Sequence, residues 1–171
     1  MMKNIVTILL FLFVGHTAVG QKSPAVMKTT FPDSALAQPV FNLQGVQSTA
    51  GDILDAHQGK AVLLYIWAMW CPDCIAGFPA LKAFQAANPS VQVVFFSLDR
   101  DEQQWKDGIE KHALEGDHYW FRTARKNTFT NAIDLDWIPR YLLLNPAGRI
   151  ASYYAVDASD PTLQTAVDSL R

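Results

Sequence analysis

Two short and almost wholly apolar runs, Ala61–Trp67 (AVLLYIW) and Val91–Ser97 (VQVVFFS), constrain this chain more than any other feature. Each is bounded by turn residues, Gly59-Lys60 before the first and Asn88-Pro89-Ser90 before the second. Runs of that length, rich in β-branched and aromatic residues, read as strands buried on both faces. Between them, Cys71-Pro72 opens a helix through about Ala87, because proline at the first turn forfeits an N–H that would have no partner there anyway. Pro79 inside that helix predicts a kink. Strand, helix and strand of this kind make a βαβ unit, so the chain reads as α/β with a central sheet flanked by helices.

Weaker patterns extend the unit. Phe41 and Leu43 alternate with polar neighbours before Gly45 and a polar stretch, which predicts an N-terminal hairpin, with a short helical turn over Asp52–His57. Asp99 with Glu102 resembles a capping box, followed by Trp105, Ile109 and Ala113 on one helical face. A small strand near His118–Phe121 and a helix near Thr123–Ala132 follow. Tyr141–Leu144 and Arg149–Tyr154, separated by Asn145-Pro146-Ala147-Gly148, read as an antiparallel hairpin, and Asp160-Pro161 starts a last helix with Leu163, Val167 and Leu170 inward. The order predicts a mixed sheet.

The N-terminus reads differently. Lys3 precedes Ile5–Val14 (IVTILLFLFV), then small residues at Ala18 and Gly20. Ten residues fall short of the 20 or so that span a bilayer. The pattern predicts a secretory signal peptide over residues 1–20, cleaved before Gln21, with an uncleaved N-terminal anchor as the alternative. Of 171 residues, 151 would remain. Residues 21–39, with Ser23-Pro24, Phe31-Pro32 and Gln38-Pro39, read as an extended lead-in to a single domain over 40–171. The whole chain has 14 Lys+Arg against 16 Asp+Glu. That balance gives nucleic-acid binding no electrostatic support. Ten Phe, five Trp and five Tyr argue against disorder.

Both cysteines of the chain lie in Trp67-Ala68-Met69-Trp70-Cys71-Pro72-Asp73-Cys74, where the first buried strand gives way to the helix. As a structural staple the pair is weak, since closing a four-residue ring removes about 2 kcal/mol of chain entropy against about 4.7 for a 100-residue loop. As a zinc site it supplies two of four ligands, and there is no second cysteine pair. Redox chemistry fits the location, because helix N-terminal N–H groups favour the reactive thiolate. Cys71 is then the nucleophile and Cys74, one turn in, the resolving thiol, the two forming a redox-active disulfide in one half of the cycle. Pro72 and Asp73 between them tune the thiol pKa; Asp73 favours the helix N-terminus but opposes a neighbouring thiolate. No cofactor or metal is required.

At these residues the chain resembles the thioredoxin superfamily, in particular its exported TlpA/ResA-like branch. The resemblance rests on Trp67 to Cys74, on Pro79 within the helix, and on the Ile138-Pro139 step before the Tyr141–Leu144 strand, and runs from about Val40 onward. It implies a thioredoxin-like fold with a four- or five-stranded sheet, a cis Pro139 facing the cysteines, and Trp70, Ile138 and Pro139 contacting substrate. It further implies a thiol-disulfide oxidoreductase working in the reducing direction in the periplasm, with cytochrome c apoproteins as one substrate class. Partner-protein disulfides would be the substrates, a membrane-bound protein the electron donor, and the enzyme a soluble monomer.

Departures matter equally. Many thioredoxins place a buried Asp six residues before the first cysteine, and here that position is Tyr65, which leaves water or Asp73 as proton acceptor. Trp67 is assigned to the core. Arg140 is read as solvated, and Arg122, Arg125 and Lys126 as a solvated helix face. The competing class is a metallochaperone holding Cu(I) on the two thiolates, with Met69 and His57 as further ligands. A peroxidase would want a lone cysteine outside such a pair.

Overall fold

In the computed structural model, residues 24–171 are described. The predicted signal segment and the first residues of the lead-in lie outside them. The elements in chain order are α1 (Asp33–Leu36), β1 (Pro39–Asn42), β2 (Gln47–Thr49), α2 (Ala50–Asp55), β3 (Val62–Trp67), α3 (Pro72–Ala87) and β4 (Gln92–Ser97). There follow α4 (Glu102–His112), β5 (Asp117–Trp120), α5 (Thr128–Ala132), β6 (Arg140–Leu144), β7 (Ile150–Ala155) and α6 (Pro161–Asp168).

All six residues of β3 are buried, which is why its sequence carries no alternation. It pairs in parallel with β4 on one side and antiparallel with β6 on the other. The full sheet runs β2-β1-β5-β4-β3-β6-β7, seven strands in place of the four or five that the resemblance implies. The surplus is the N-terminal hairpin, which joins through β1 antiparallel to β5. The β6–β7 hairpin turns on Asn145, whose side-chain oxygen accepts from the N–H groups of Ala147 and Arg149, while Gly148 takes the left-handed conformation (φ +73°) that the turn demands.

Several local expectations shift. The lead-in contains α1, a single turn with Ala35 buried. Helix α4 is capped by Asp101, whose carboxylate accepts from Gln104 N–H, so Asp99 is free for another role. That helix ends at His112, because Ala113 turns left-handed (φ +45°), and its buried residues are Trp105 and Gly108. Residues 122–125 form a turn, and the helix predicted there shrinks to α5, capped by Asn127. Helix α3 continues through Pro79.

Candidate functional site

The C-terminal end of β3 passes into Ala68–Trp70 and then α3, and a buried carboxylate shapes that connection. Asp99, one residue past Leu98 at the end of the neighbouring β4, accepts the Met69 N–H at 2.9 Å and the Ser97 hydroxyl at 2.8 Å. Its own carbonyl accepts the Trp120 indole N–H at 2.7 Å. Burial pushes its pKa up, against the hydrogen bonds that favour the carboxylate. The Trp70 indole donates to the Leu98 carbonyl at 3.3 Å. Met69 turns away onto α4, where a Cβ on Gly108 would lie 2.2 Å from its Cγ, so glycine is what admits it.

This connection sets Cys71 as the N-cap of α3, with its sulfur accepting the Cys74 N–H at 3.2 Å. The Cys71 thiol donates to the Ile138 carbonyl at 3.4 Å, and the Ile138-Pro139 peptide that follows is cis. Both cysteines are free and buried. Their thiols are driven apart electrostatically. A hydrogen bond from the Cys74 thiol lowers the Cys71 pKa, opposed by burial and by the Asp73 carboxylate and aided by the helix N–H groups. Burial first, and the Cys71 sulfur second, push the Cys74 thiol far above its ordinary range.

Beneath Cys74 lies Tyr65. Its hydroxyl donates to the Cys74 carbonyl at 3.4 Å, and its ring stacks on Tyr141 with centroids 4.4 Å apart and 4° between planes. Burial holds both phenols protonated well above neutral pH. Tyr65 therefore supplies a donor where many thioredoxins have an acid.

Trp70, Cys71, Pro72, Asp73 and Ile138 line one cavity of about 210 Å³, together with Arg125 and Trp137. Pro139 lies on the other side of Asp73, in a cleft with Ala76, Gly77, Val156 and Asp157. The Trp137 indole donates to Asp73 at 3.4 Å, bridging α3 and the loop before Pro139.

Three sequence expectations fail. Arg140 is wholly buried, not solvated: its guanidinium pairs with the Asp136 carboxylate, donates to the Ile133 carbonyl at 3.4 Å and sits 3.9 Å over the Tyr154 ring. A side chain on a central strand beside β3 points into the protein whatever its charge, and here partners are supplied. Arg122, Arg125 and Lys126 are all exposed, as expected, but they lie on and beside a turn and not on a helix face; Arg122 stacks 3.7 Å over Phe41, and Arg125 reaches the carbonyls of Leu135 and Asp136. His57 accompanies Asp117, level with Leu64 and two strands, about 10 Å, to the side. Neither His57 nor Met69 is placed to share a metal with the cysteines, and among the described residues no cluster of three or more His, Cys, Asp or Glu would hold one. Trp67 packs in the core, edge-on to Phe78 and Phe95.

The places of Asp99, Arg125 and Trp137 at the site escape the sequence reading. A polar residue immediately after a central apolar strand was the available signal for Asp99. Trp137, two residues before Pro139, had no alternation to mark it.

Comparison with known proteins places this geometry among relatives. A family model described as thioredoxin-like matches residues 59–150. The sporulation thiol-disulfide oxidoreductase A of Bacillus subtilis is 27% identical over 150 residues, 81% of this chain and 77% of that protein. The soluble secreted antigen MPT53 of Mycobacterium tuberculosis is 32% identical over 81 residues, 47% of this chain and 39% of that one. A Bacteroides vulgatus protein assigned to the thiol-disulfide oxidoreductases, solved in solution, superposes with a TM-score of 0.66 at 28% identity, covering 80% of this chain and 88% of its own. The chain spans 20–39% of the length of the curated relatives that match first, plant nucleoredoxins among them.

Proposed function

This chain belongs to the thioredoxin-like family, and on that premise we propose that it is an exported thiol-disulfide oxidoreductase acting through Cys71 and Cys74. The observation that carries the reading is the Cys71 sulfur, held between the Cys74 N–H and the Ile138 carbonyl that precedes cis Pro139.

In the reducing direction, the Cys71 thiolate attacks one sulfur of a partner disulfide. A Cys71–partner bond forms, the partner's S–S bond breaks, and the released partner thiolate takes a proton. The Cys74 thiol loses its proton and its sulfur attacks Cys71, forming the Cys71–Cys74 disulfide and releasing the partner's second thiolate. The partner gains two electrons and two protons; the pair loses them. The lowered Cys71 pKa makes it the entering group, and the raised Cys74 pKa keeps the resolving thiol protonated until the mixed disulfide has removed the Cys71 negative charge. Trp70, Ile138 and Pro139 serve as the contact surface for the partner, while Pro72 and Asp73 set the thiol pKa.

The TlpA/ResA-like motifs favour this reducing direction, with cytochrome c apoproteins among the substrates. A reductant outside the cytosol needs electrons from a membrane-bound donor, since the systems that keep thiols reduced are cytosolic. Export is supported by the N-terminal apolar segment and by the secreted relative; no helix among the described residues is long and apolar enough to cross a membrane. The working form is a soluble periplasmic monomer.

The test is the reduction potential of the pair, by equilibrating the protein in defined thiol-disulfide buffers and counting free thiols by mass. A value near −270 mV, the thioredoxin end of the range, is expected. A value toward −120 mV would overturn the reducing direction, and failure to form the intramolecular disulfide would overturn the oxidoreductase reading itself.

A further inference from the structure

Of the five tryptophans, Trp67, Trp105 and Trp120 are buried, whereas Trp70 and Trp137 are 45% and 49% exposed. Both exposed rings line the cavity that reaches Cys71. Each is pinned by its indole N–H, Trp70 to the Leu98 carbonyl and Trp137 to Asp73. Exposed but immobilised aromatics lose little freedom when a partner covers them. Trp and Arg are also the residue types that concentrate energy at interfaces.

The charges around the cavity are separated along the site. The Asp73 carboxylate accepts the neutral Trp137 indole N–H and keeps its charge, whereas the Asp136 carboxylate is paired with Arg140. Arg125 reaches only the backbone carbonyls of Leu135 and Asp136; among the described residues no carboxylate lies within ion-pair distance of it. Lys126 beside it is exposed and adds the same sign. On the far side of Asp73, the cleft at Pro139 carries Asp157 and no cation. A segment lying across the site thus meets a positive end at Arg125 and a negative end at Asp157.

We propose that Trp70, Trp137 and Arg125 form a recognition pocket for a partner segment bearing a large apolar side chain next to its reactive cysteine and an acidic side chain just beyond. The proposal rests on the oxidoreductase reading and names the class of partner that site takes. The cavity, about 210 Å³, suits the apolar group, since an apolar cavity of about 150 Å³ holds benzene. The guanidinium fork suits a carboxylate. Asp157 rejects the reversed orientation by setting like charges together.

The experiment follows the second-order rate at which the reduced protein cleaves synthetic peptides, each carrying one cysteine capped as a mixed disulfide with 2-mercaptoethanol. The peptides pair Phe or Ala beside the cysteine with Glu, Gln or Lys one residue further out. The Phe/Glu peptide is expected to react about 2- to 5-fold faster than Phe/Gln at low salt, as an exposed ion pair allows, and the advantage to vanish in 1 M salt. Replacing Phe by Ala is expected to slow the reaction. Arg125→Gln is expected to erase the Glu preference and Arg125→Glu to reverse it in favour of Lys. Equal rates for Glu, Gln and Lys peptides with the native protein would overturn the proposal and leave the oxidoreductase reading standing, as would an unchanged order in Arg125→Glu. Failure to cleave any peptide would overturn both.

Discussion

The Cys74 backbone N–H points at the Cys71 sulfur from 3.2 Å, so the first turn of α3 ends on the atom that would attack a disulfide. The Cys74 thiol adds a second donor, and it is the largest influence lowering the Cys71 pKa. Cys74→Ala removes the thiol donor but keeps the N–H. The Cys71 pKa is therefore expected to move up toward the ordinary thiol range of about 8.5. Cys74→Ser, which keeps a hydroxyl donor, is expected to recover part of the depression. The pH profile of Cys71 alkylation by iodoacetamide, followed by mass, reads both; a profile identical in native protein and Cys74→Ala would contradict the assignment.

Asp73 works the other way. Its carboxylate disfavours the Cys71 thiolate, and the Trp137 indole holds it in place. Asp73→Asn removes the charge while keeping an oxygen for the indole, so the Cys71 pKa is expected to fall further. A more stable thiolate stabilises the dithiol form, so the reduction potential is expected to rise, making the pair less reducing. Thiol titration and potential should move together in these directions; an unchanged pair of values would show that Asp73 is only a first-turn acid of α3.

What the sequence could convey depended on whether a signal was local. β3, β4, α3 and the β6–β7 hairpin announce themselves because burial on both faces, proline at a helix start and an Asn-Pro-Ala-Gly turn each leave a mark within a few residues. The thiols were legible for the same reason, a four-residue motif at a strand-to-helix junction. The supports of the site were not. Asp99 holds the Met69 N–H across 30 positions of sequence, and its spacing to Glu102 mimics a helix cap that Asp101 in fact provides. Arg140 reads as a surface cation until β6 is known to lie beside β3, where every residue of the strand is buried. Arg125 reaches the cavity because 122–125 is a turn rather than the first turn of a helix.

Arg140 immobilises the loop that carries Trp137 and Ile138, since its guanidinium ties Asp136 and Ile133 from behind while stacking on Tyr154. Arg140→Ala leaves a void and strands a carboxylate. Removing one partner of a fully buried pair costs about 3–5 kcal/mol, and the partial solvation of Asp136 reduces this to about 2–3. Arg140→Met keeps much of the packed volume and is expected to cost less than the alanine variant. Urea unfolding would check both, and a loss below about 0.5 kcal/mol for Arg140→Ala would mean that the loop is held by other contacts.

Asp99 gives the stability of the protein a pH dependence of unusual sign for a carboxylate. Burial raises its folded pKa above the ordinary value near 3.9. Below the unfolded value the group is protonated in both states, and its contribution to stability is at its fullest. As pH rises from there, the unfolded chain ionises first, and the contribution is lost progressively until the folded group has ionised too. Asp99→Asn removes the titration but keeps an oxygen for the Met69 N–H. The difference in unfolding free energy, native minus Asp99→Asn, is therefore expected to fall as pH rises from about 4 and to level off above the folded pKa. Asp99→Ala removes the acceptor altogether, leaving the Met69 N–H and the Ser97 hydroxyl without it, and is expected to cost about 1–3 kcal/mol at neutral pH. Urea titrations of the three proteins between pH 4 and 8 measure both effects; a native-minus-Asn difference that grows with pH would mean that hydrogen bonding outweighs burial at this carboxylate.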